Sequence, residues 1–325
     1  MSLKIFSGKT NTVLASKIAG DLQIPLGDIY HHNFPSGESF CKFQENIRGD
    51  DIFIVQGIIK PANENLMDIL IMADAARRAS AKSITAVIPN FGYARQDRKD
   101  QSRVPISAKL VMDMLTCAGI KRVLTMDLHA AQIQGFTNDP CDQLLFEPIL
   151  SQYLKIKYGA NPRDIVIVAP DVGAVKRAER YSKLLNCSLA LIVKNRLGDT
   201  EVKIESFVGD VKGKIAIIVD DMNESAGTIV QAGNACRDRG ATKIVAAVTH
   251  GCFTPTGCIN LQDACSNRWL FDEFIYSDTV GYNWDTLGNY PFEKPKVLTE
   301  LSVSKLFADA IKNIYDNKSV SGLFI

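Results

Sequence analysis

The sequence predicts an α/β protein of two similar domains, each a mainly parallel sheet flanked by helices. Three observations carry that prediction: short apolar runs alternate with helical patterns, a strand–turn signature occurs twice, and 325 residues suffice for two cores of ordinary size. The runs are Asp51–Gln56 (DIFIVQ), Ser83–Ile88 (SITAVI), Arg122–Met126 (RVLTM), Asp164–Ala169 (DIVIVA), Leu189–Val193 (LALIV), Ile215–Val219 (IAIIV) and Lys243–Val248 (KIVAAV). Between several of them, Glu64–Ala81 and Ser107–Ala118 place apolar residues three and four apart, the period of a helix with one buried face. Such alternation favours parallel sheets covered by helices, with ligands beyond the carboxyl ends of the strands.

The repeat joins Ala86–Arg95 (AVIPNFGYAR) to Ile167–Lys176 (IVAPDVGAVK). Both read strand, Pro, Asn or Asp, any residue, Gly, any two, base. Two sister domains follow from it, 1–146 and 147–311, meeting near Gln143–Tyr158, with a segment of about 312–325 expected to pack back on the first. Neither low-complexity sequence nor a Pro/Gly linker separates the halves.

Composition narrows the function. The chain is 46% hydrophobic and 22% charged with a formal net charge of +1, values of a globular protein without a global field for nucleic acid. An anionic ligand must be gripped locally. No run of about 18 apolar residues suggests a membrane span, and the N-terminal residues do not read as a cleavable leader, so the expected location is the cytoplasm. The eight cysteines form no C-x-x-C pair and no zinc spacing, and are expected to be buried thiols in a reducing compartment.

The stretch Ile217–Ile229 (IIVDDMNESAGTI) is chemically the most pointed. An apolar strand ends on Asp220 and Asp221, then passes through Glu224, Ser225, Ala226, Gly227 and Thr228 into a helical pattern that stops at Arg239-Gly240. Small side chains let an anion approach the backbone N–H groups of a helix N-terminus, and the two hydroxyls can donate to it. The paired carboxylates can accept hydrogen bonds from neighbouring sugar hydroxyls, so together the parts describe a phosphorylated-sugar pocket. The plainer alternative is that both acids only cap the next helix.

With these residues in hand, VDDMNESAGT at 219–228 resembles the ribose-phosphate loop of the phosphoribosyltransferase superfamily. The remainder of the chain resembles one branch, the phosphate-activated ribose-phosphate pyrophosphokinases. Further matches run the length of the chain: KIFSG near the start, FPSGE at 34–38, FGYARQDRK at 91–99, TMDLHAAQIQGF at 125–136, VAPDVGAVKRA at 168–178, VKNR at 193–196, GDVKGK at 209–214 and SVSGLF at 319–324. The resemblance implies two domains of phosphoribosyltransferase type, the first on the ATP side and the second binding ribose 5-phosphate. It also implies Mg²⁺ as cofactor and transfer of a diphosphoryl group from ATP to O1 of ribose 5-phosphate.

Roles follow residue by residue. Arg95, Gln96, Asp97 and Lys99 would meet ATP, with Phe34 and Glu38 holding adenine from a neighbouring subunit; without the resemblance, 95–99 reads as a solvated charged loop. His129 and Asp171 would stand around Mg²⁺–ATP, Asp171 being the natural oxygen ligand and His129 acting through water or on phosphate; Asp171 also reads as a simple turn residue before Gly173. Lys194 and Arg196 would close over the transferring group, and these two with His129 are the expected catalytic residues. Asp220, Asp221 and Glu224–Thr228 would bind ribose 5-phosphate. His31, His32 and His250 are read as noncatalytic, and the SGKT at 7–10 lacks the upstream glycine of a P-loop, since residue 3 is leucine.

The resemblance further implies a homo-hexamer built from dimers, activated by inorganic phosphate and inhibited by ADP, at positions matching Arg48, Ser80, Arg103, Gln134, Asp142, Ser319 and Ser321. Neither nucleic acid nor membrane is an expected partner. Glu224 and Ser225 stand where the family usually has Asp and Thr, Asn195 where another base is frequent, and Ala174 where a second glycine is frequent. These departures leave room for a noncatalytic homologue that regulates active subunits. A phosphoribosyltransferase that consumes the product is a further alternative, but it leaves Phe34–Glu38, Arg95–Asp97 and the duplicated domain without a task.

Overall fold

The computed structural model describes residues 2–159, 161–196, 202–267, 269–281 and 296–324, with side chains except at 194–196, 202–205 and 266–267. They divide into two units, one holding the residues up to Leu145 with Thr279–Gly281 and those from Ser302 onward, the other Phe146–Asp278 and the stretch ending at Leu301.

In the first unit the chain runs β1 (Leu3–Ser7), α1 (Thr12–Asp21), β2 (Ile29–Asn33), β3 (Ser39–Phe43), β4 (Asp51–Val55), α2 (Ala62–Arg78), β5 (Ser83–Ile88), α3 (Ser107–Ala118), β6 (Arg122–Met126) and β7 (Cys141–Leu144). Five strands form a parallel sheet in the order β1-β4-β5-β6-β7, while β2 and β3 make a separate antiparallel hairpin. Ile52–Val55 and Ile84–Ile88 are buried without a break, as strands of a helix-covered parallel sheet must be. α2 buries Leu66, Ile69, Met72, Ala73 and Ala76, the three–four spacing legible in the sequence. α3 stops at Gly119, whose φ of 111° a side chain would resist.

The second unit runs α4 (Glu147–Tyr158), β8 (Ile165–Ala169), α5 (Val175–Leu185), β9 (Ser188–Arg196), β10 (Val202–Val208), β11 (Ile215–Asn223), α6 (Gly227–Asp238), β12 (Lys243–Gly251), α7 (Pro255–Gln262), β13 (Glu273–Ser277) and β14 (Leu298–Leu301). Its sheet order is β10-β9-β8-β11-β12-β13-β14, parallel except for β10. The chain then re-enters the first unit at Ser302, ahead of position 312, and α8 (Ser304–Tyr315) packs on α1 with Phe307, Ala308 and Ile311 fully buried. Both units thus carry the expected architecture, and Pro89 and Pro170 each directly follow a strand of their own sheet.

Three strands run past their expected ends, β12 by continuing from Val248 to Gly251. β9 extends through Lys194 to Arg196 because β10 folds back antiparallel against it, pairing Val202 with Arg196. β11 pairs with β8 only as far as Ile218 but continues along β12, with Asp220 opposite Val248 and Asn223 opposite Gly251. The paired acids therefore lie within the strand, where it has lost one neighbour. A smaller correction concerns the thiols: all eight are free, but only Cys41, Cys236, Cys258 and Cys265 are buried, while Cys141, Cys187 and Cys252 are half-buried and Cys117 on α3 is exposed. No described helix is long and apolar enough to cross a membrane.

At the amino end of β13, opposite to the ligand edge, Glu273 is 3% exposed and holds the second unit together. Its Oε1 accepts from Tyr153 OH (2.5 Å), Lys157 Nζ (2.8 Å) and Thr299 Oγ1 (2.6 Å), and its Oε2 from Tyr158 OH (2.5 Å), tying α4 and β14 to β13. Burial alone would raise the carboxyl pKa; the hydrogen bonds from Lys157, Thr299, Tyr153 and Tyr158 outweigh it and hold the group below its ordinary value. A Glu273→Leu variant is expected to lose about 3 kcal/mol, since Tyr153, Tyr158 and Thr299 lose their acceptor together and Lys157 its counter-charge. A group with a depressed folded pKa contributes above its unfolded value and loses that contribution as pH falls through the folded one. Calorimetric melting should show the wild-type advantage shrinking toward acid.

Candidate functional site

The site in the second unit is built where β11 outruns β8. Asp221 is 5% exposed, and successive strand residues face opposite sides. Arg177 of α5 nevertheless reaches both acids, its Nη1 lying 3.4 Å from Asp220 Oδ1 and 3.9 Å from Asp221 Oδ1. Asp220 Oδ1 accepts the Asp221 N–H, and Asp221 Oδ1 that of Met222, both at 2.9 Å, which orients the two carboxylates. Burial pushes the Asp220 carboxyl up, the Asp221 charge adds to it, Arg177 opposes, Asp171 adds further, and the Asp221 N–H opposes; the group ends at about 7. A carboxyl with a raised pKa beside a second carboxyl is suited to gripping neighbouring hydroxyls, each of which can donate or accept.

Asp220 and Asp221 do not cap the helix that follows. Ser225 and Thr228 are exposed, Gly227 is half-buried, and the chain enters α6 through Ala226, whose φ of 62° is a left-handed conformation costing a residue with a side chain about 1 kcal/mol. Gly227 N–H reaches Ser225 Oγ at 3.4 Å, and the helix begins with Val230 N–H bonding to Ala226 O. A strained entry of this kind is characteristic of loops shaped for a ligand. Asp171 lies between β8 and α5, where its Oδ1 accepts the Ala174 N–H at 3.1 Å, so the turn role is real; the same carboxylate acts electrostatically on Asp220.

In the first unit, Arg95, Gln96, Asp97 and Lys99 share the loop after β5, with Arg95 and Lys99 exposed. Asp97 Oδ2 accepts from Gln132 Nε2 at 2.6 Å, which joins this loop to the segment after β6 that carries the exposed His129. Gln96 Oε1 is buried without a partner among the described residues, an acceptor that costs free energy until something donates to it. Phe34 and Glu38 occupy the tip of the β2–β3 hairpin, where Phe34 N–H bonds to Glu38 O at 2.8 Å and Ser36 Oγ to Glu38 Oε2 at 2.6 Å. Phe34 remains 46% exposed. The side chains of Lys194 and Arg196 lie outside the described residues, as does that of Asn195.

Of the remaining positions, Arg48 donates to Ser80 Oγ at 3.0 Å and lines an open cleft with Lys42 and Asn46. Ser319 and Ser321 share a hydrogen bond of 2.9 Å, Gln134 bonds Gln143 at 3.2 Å, Asp142 is paired with Arg122, and Arg103 is exposed at a φ of 65°. Among the described residues no three His, Cys, Asp or Glu side chains enclose a metal. Arg177 escaped the sequence reading. The signal present was VKRA one residue after PDVG, but only the fold separates the exposed Lys176 from the inward Arg177.

Paired acids at the carboxyl end of the central strand β11, followed by a small-residue helix entry, make up the candidate site of this α/β chain. Residues 3–119 match the N-terminal domain of ribose phosphate pyrophosphokinase and residues 202–325 the phosphoribosyl synthetase-associated domain. The ribose-phosphate pyrophosphokinase of Clostridium perfringens is 46% identical over 99% of this chain and 98% of its own length, and that of Thermotoga maritima 42% identical over 99% and 98%. The crystal structure of phosphoribosylpyrophosphate synthetase from Mycobacterium smegmatis superimposes with a TM-score of 0.87 at 37% identity, covering 98% of this chain and all of that one. The chain belongs to the ribose-phosphate pyrophosphokinase family.

Proposed function

We propose that the protein transfers the diphosphoryl group of Mg²⁺–ATP to O1 of ribose 5-phosphate, giving 5-phosphoribosyl 1-pyrophosphate and AMP for nucleotide biosynthesis in the cytoplasm. The observation that carries the reading is the Asp220–Asp221 pair placed directly ahead of the Ser225–Thr228 entry to α6. On this reading the second unit is the ribose 5-phosphate side. Ser225–Thr228 take the 5-phosphate through backbone N–H groups and hydroxyls, Asp220 and Asp221 accept from the ribose hydroxyls, and Glu224 borders them.

The first unit is the ATP side. Arg95 and Lys99 neutralise phosphate charge, Gln96 and Asp97 orient the nucleotide, and Phe34 and Glu38 hold adenine in a neighbouring copy. The O1 oxygen attacks the β-phosphorus, the bond from that phosphorus to the α,β-bridging oxygen breaks, AMP leaves with the electron pair, and the O1 proton passes to solvent water. Lys194, Arg196 and His129 stabilise the charge on the transferring group, and the chain otherwise acts by holding two anions in line. Mg²⁺, held by Asp171 and by His129 directly or through water, would supply further charge neutralisation.

The same reading includes a homo-hexamer built from dimers, activated by phosphate and inhibited by ADP through Arg48, Ser80, Arg103, Gln134, Asp142, Ser319 and Ser321. The deciding assay is AMP release from ATP and Mg²⁺, with and without ribose 5-phosphate and with and without inorganic phosphate. Sugar-dependent AMP release with the diphosphorylated sugar visible by phosphorus NMR is expected, faster with phosphate. ATP binding without turnover would instead favour a regulatory homologue, and an unchanged rate with phosphate would remove the regulatory part.

A further inference from the structure

Two carbonyls of the Glu224–Thr228 loop are fastened to α7 and its N-cap, about thirty residues further on. Glu224 O accepts from Thr254 Oγ1 at 2.8 Å and from Thr254 N–H at 3.3 Å, and the same Thr254 oxygen accepts the Gly257 N–H at 3.2 Å, closing the first turn of α7. The next carbonyl, Ser225 O, accepts from Asn260 Nδ2 at 2.8 Å. The backbones approach so closely that a Cβ on Gly257 would lie 1.9 Å from Glu224 O. Only glycine permits that contact.

The consequence follows from peptide geometry. In a trans peptide the carbonyl and the next N–H point in opposite directions. Fastening the carbonyls of Glu224 and Ser225 to α7 therefore turns the N–H groups of Ser225 and Ala226 away from α7. It also over-determines the left-handed Ala226, which a free loop would relax.

We propose that Thr254, Gly257 and Asn260 are positioning residues of the phosphate loop, setting through its carbonyls the direction of the N–H groups that receive the sugar phosphate. The proposal rests on the reading of Ser225–Thr228 as the phosphate-binding turn. Thr254→Val and Asn260→Leu, made in the full chain, remove the side-chain hydrogen bonds while keeping size and leaving the Thr254 N–H bond, and Thr254→Ser restores the hydroxyl. Two measurements are made on each: calorimetric affinity for ribose 5-phosphate beside that for ATP, and hydrogen exchange of the 224–228 amides without ligand.

Thr254→Val is expected to weaken ribose 5-phosphate about tenfold and ATP by less than about twofold, with faster exchange confined to the loop and Thr254→Ser close to wild type. Unchanged affinity and exchange in both variants would overturn the proposal, as would equal losses for both ligands, which mark a general loss of structure. A wild type that fails to bind ribose 5-phosphate would overturn the functional reading instead, and loop exchange would then decide the positioning on its own.

Discussion

An Asp220→Ala variant is expected to bind ribose 5-phosphate about 100-fold more weakly and, at neutral pH, to melt at a higher temperature than the wild type. The loss follows from removing a carboxylate that accepts from sugar hydroxyls; hydrogen bonds to charged groups contribute about 1.5–3 kcal/mol each, and about 1.4 kcal/mol is a factor of ten. The gain follows from the electrostatics. Burial, Asp221 and Asp171 hold the Asp220 pKa up at about 7, so the folded protein keeps a proton that the unfolded chain releases near 4. Between those values the folded state binds more protons, and stability therefore falls as pH rises. Deleting the carboxyl removes that decline, and the advantage of the variant should grow from about pH 4 to about pH 7. Binding runs the other way. Wild-type affinity should still climb above pH 7 as Asp220 ionises, whereas the substrate phosphate, with its second pKa near 6, contributes the same rise to both proteins. A variant that melts below the wild type at neutral pH, or binds ribose 5-phosphate equally well, would remove Asp220 from its assigned place. An unfavourable charge pair kept inside a fold is the usual mark of a site whose shape serves a ligand rather than stability.

How much of this was legible depends on which atoms carry each interaction. β4, β5, β6, β8, β11 and β12 announce themselves because strands inside a covered parallel sheet need apolar residues at nearly every position. β2 (IYHHN), β3 (SFCKF) and β10 (VKIESFV) are hairpin or edge strands carrying polar residues, and no apolar run marks them. The ends of β9 and β11 were placed short for a related reason: pairing with a single neighbour sustains a strand through charged residues that composition reads as loop. Asp220 and Asp221 were visible as adjacent carboxylates, because an unusual pair at a strand end is itself a chemical statement. Arg177 was not, since one base among several on a helix acquires meaning only when its face is known. The grip of α7 was hidden more deeply. It acts on two backbone carbonyls, which every residue has, through a Thr that is ordinary at a helix start and an Asn inside the helix that no pattern singles out.

The companion variant, Arg177→Met, should lower the stability that Asp220→Ala raises, and should shift the pH response that Asp220→Ala abolishes. Arg177 is the cation placed against both acids, 3.4 Å from one and 3.9 Å from the other, and its side chain is 15% exposed. Removing one partner of a buried ionic cluster costs about 3 kcal/mol or more, because the remaining charges keep their desolvation cost and lose their compensation. In a domain of this size that corresponds to a fall in melting temperature of about 6–12 °C. Arg177 also lowers the Asp220 pKa, so its loss should raise that value further and move the pH response of ribose 5-phosphate binding upward. An arginine that only packed would destabilise without shifting the pH response. The double variant separates the two: with Asp220 already alanine, one buried negative charge is left where the pair stood, and losing Arg177 should cost clearly less than in the wild type. Equal costs in both backgrounds would mean that Arg177 acts through contacts other than the acid pair. A cost concentrated in the background with two acids would identify it as the residue that lets β11 carry them side by side into the site.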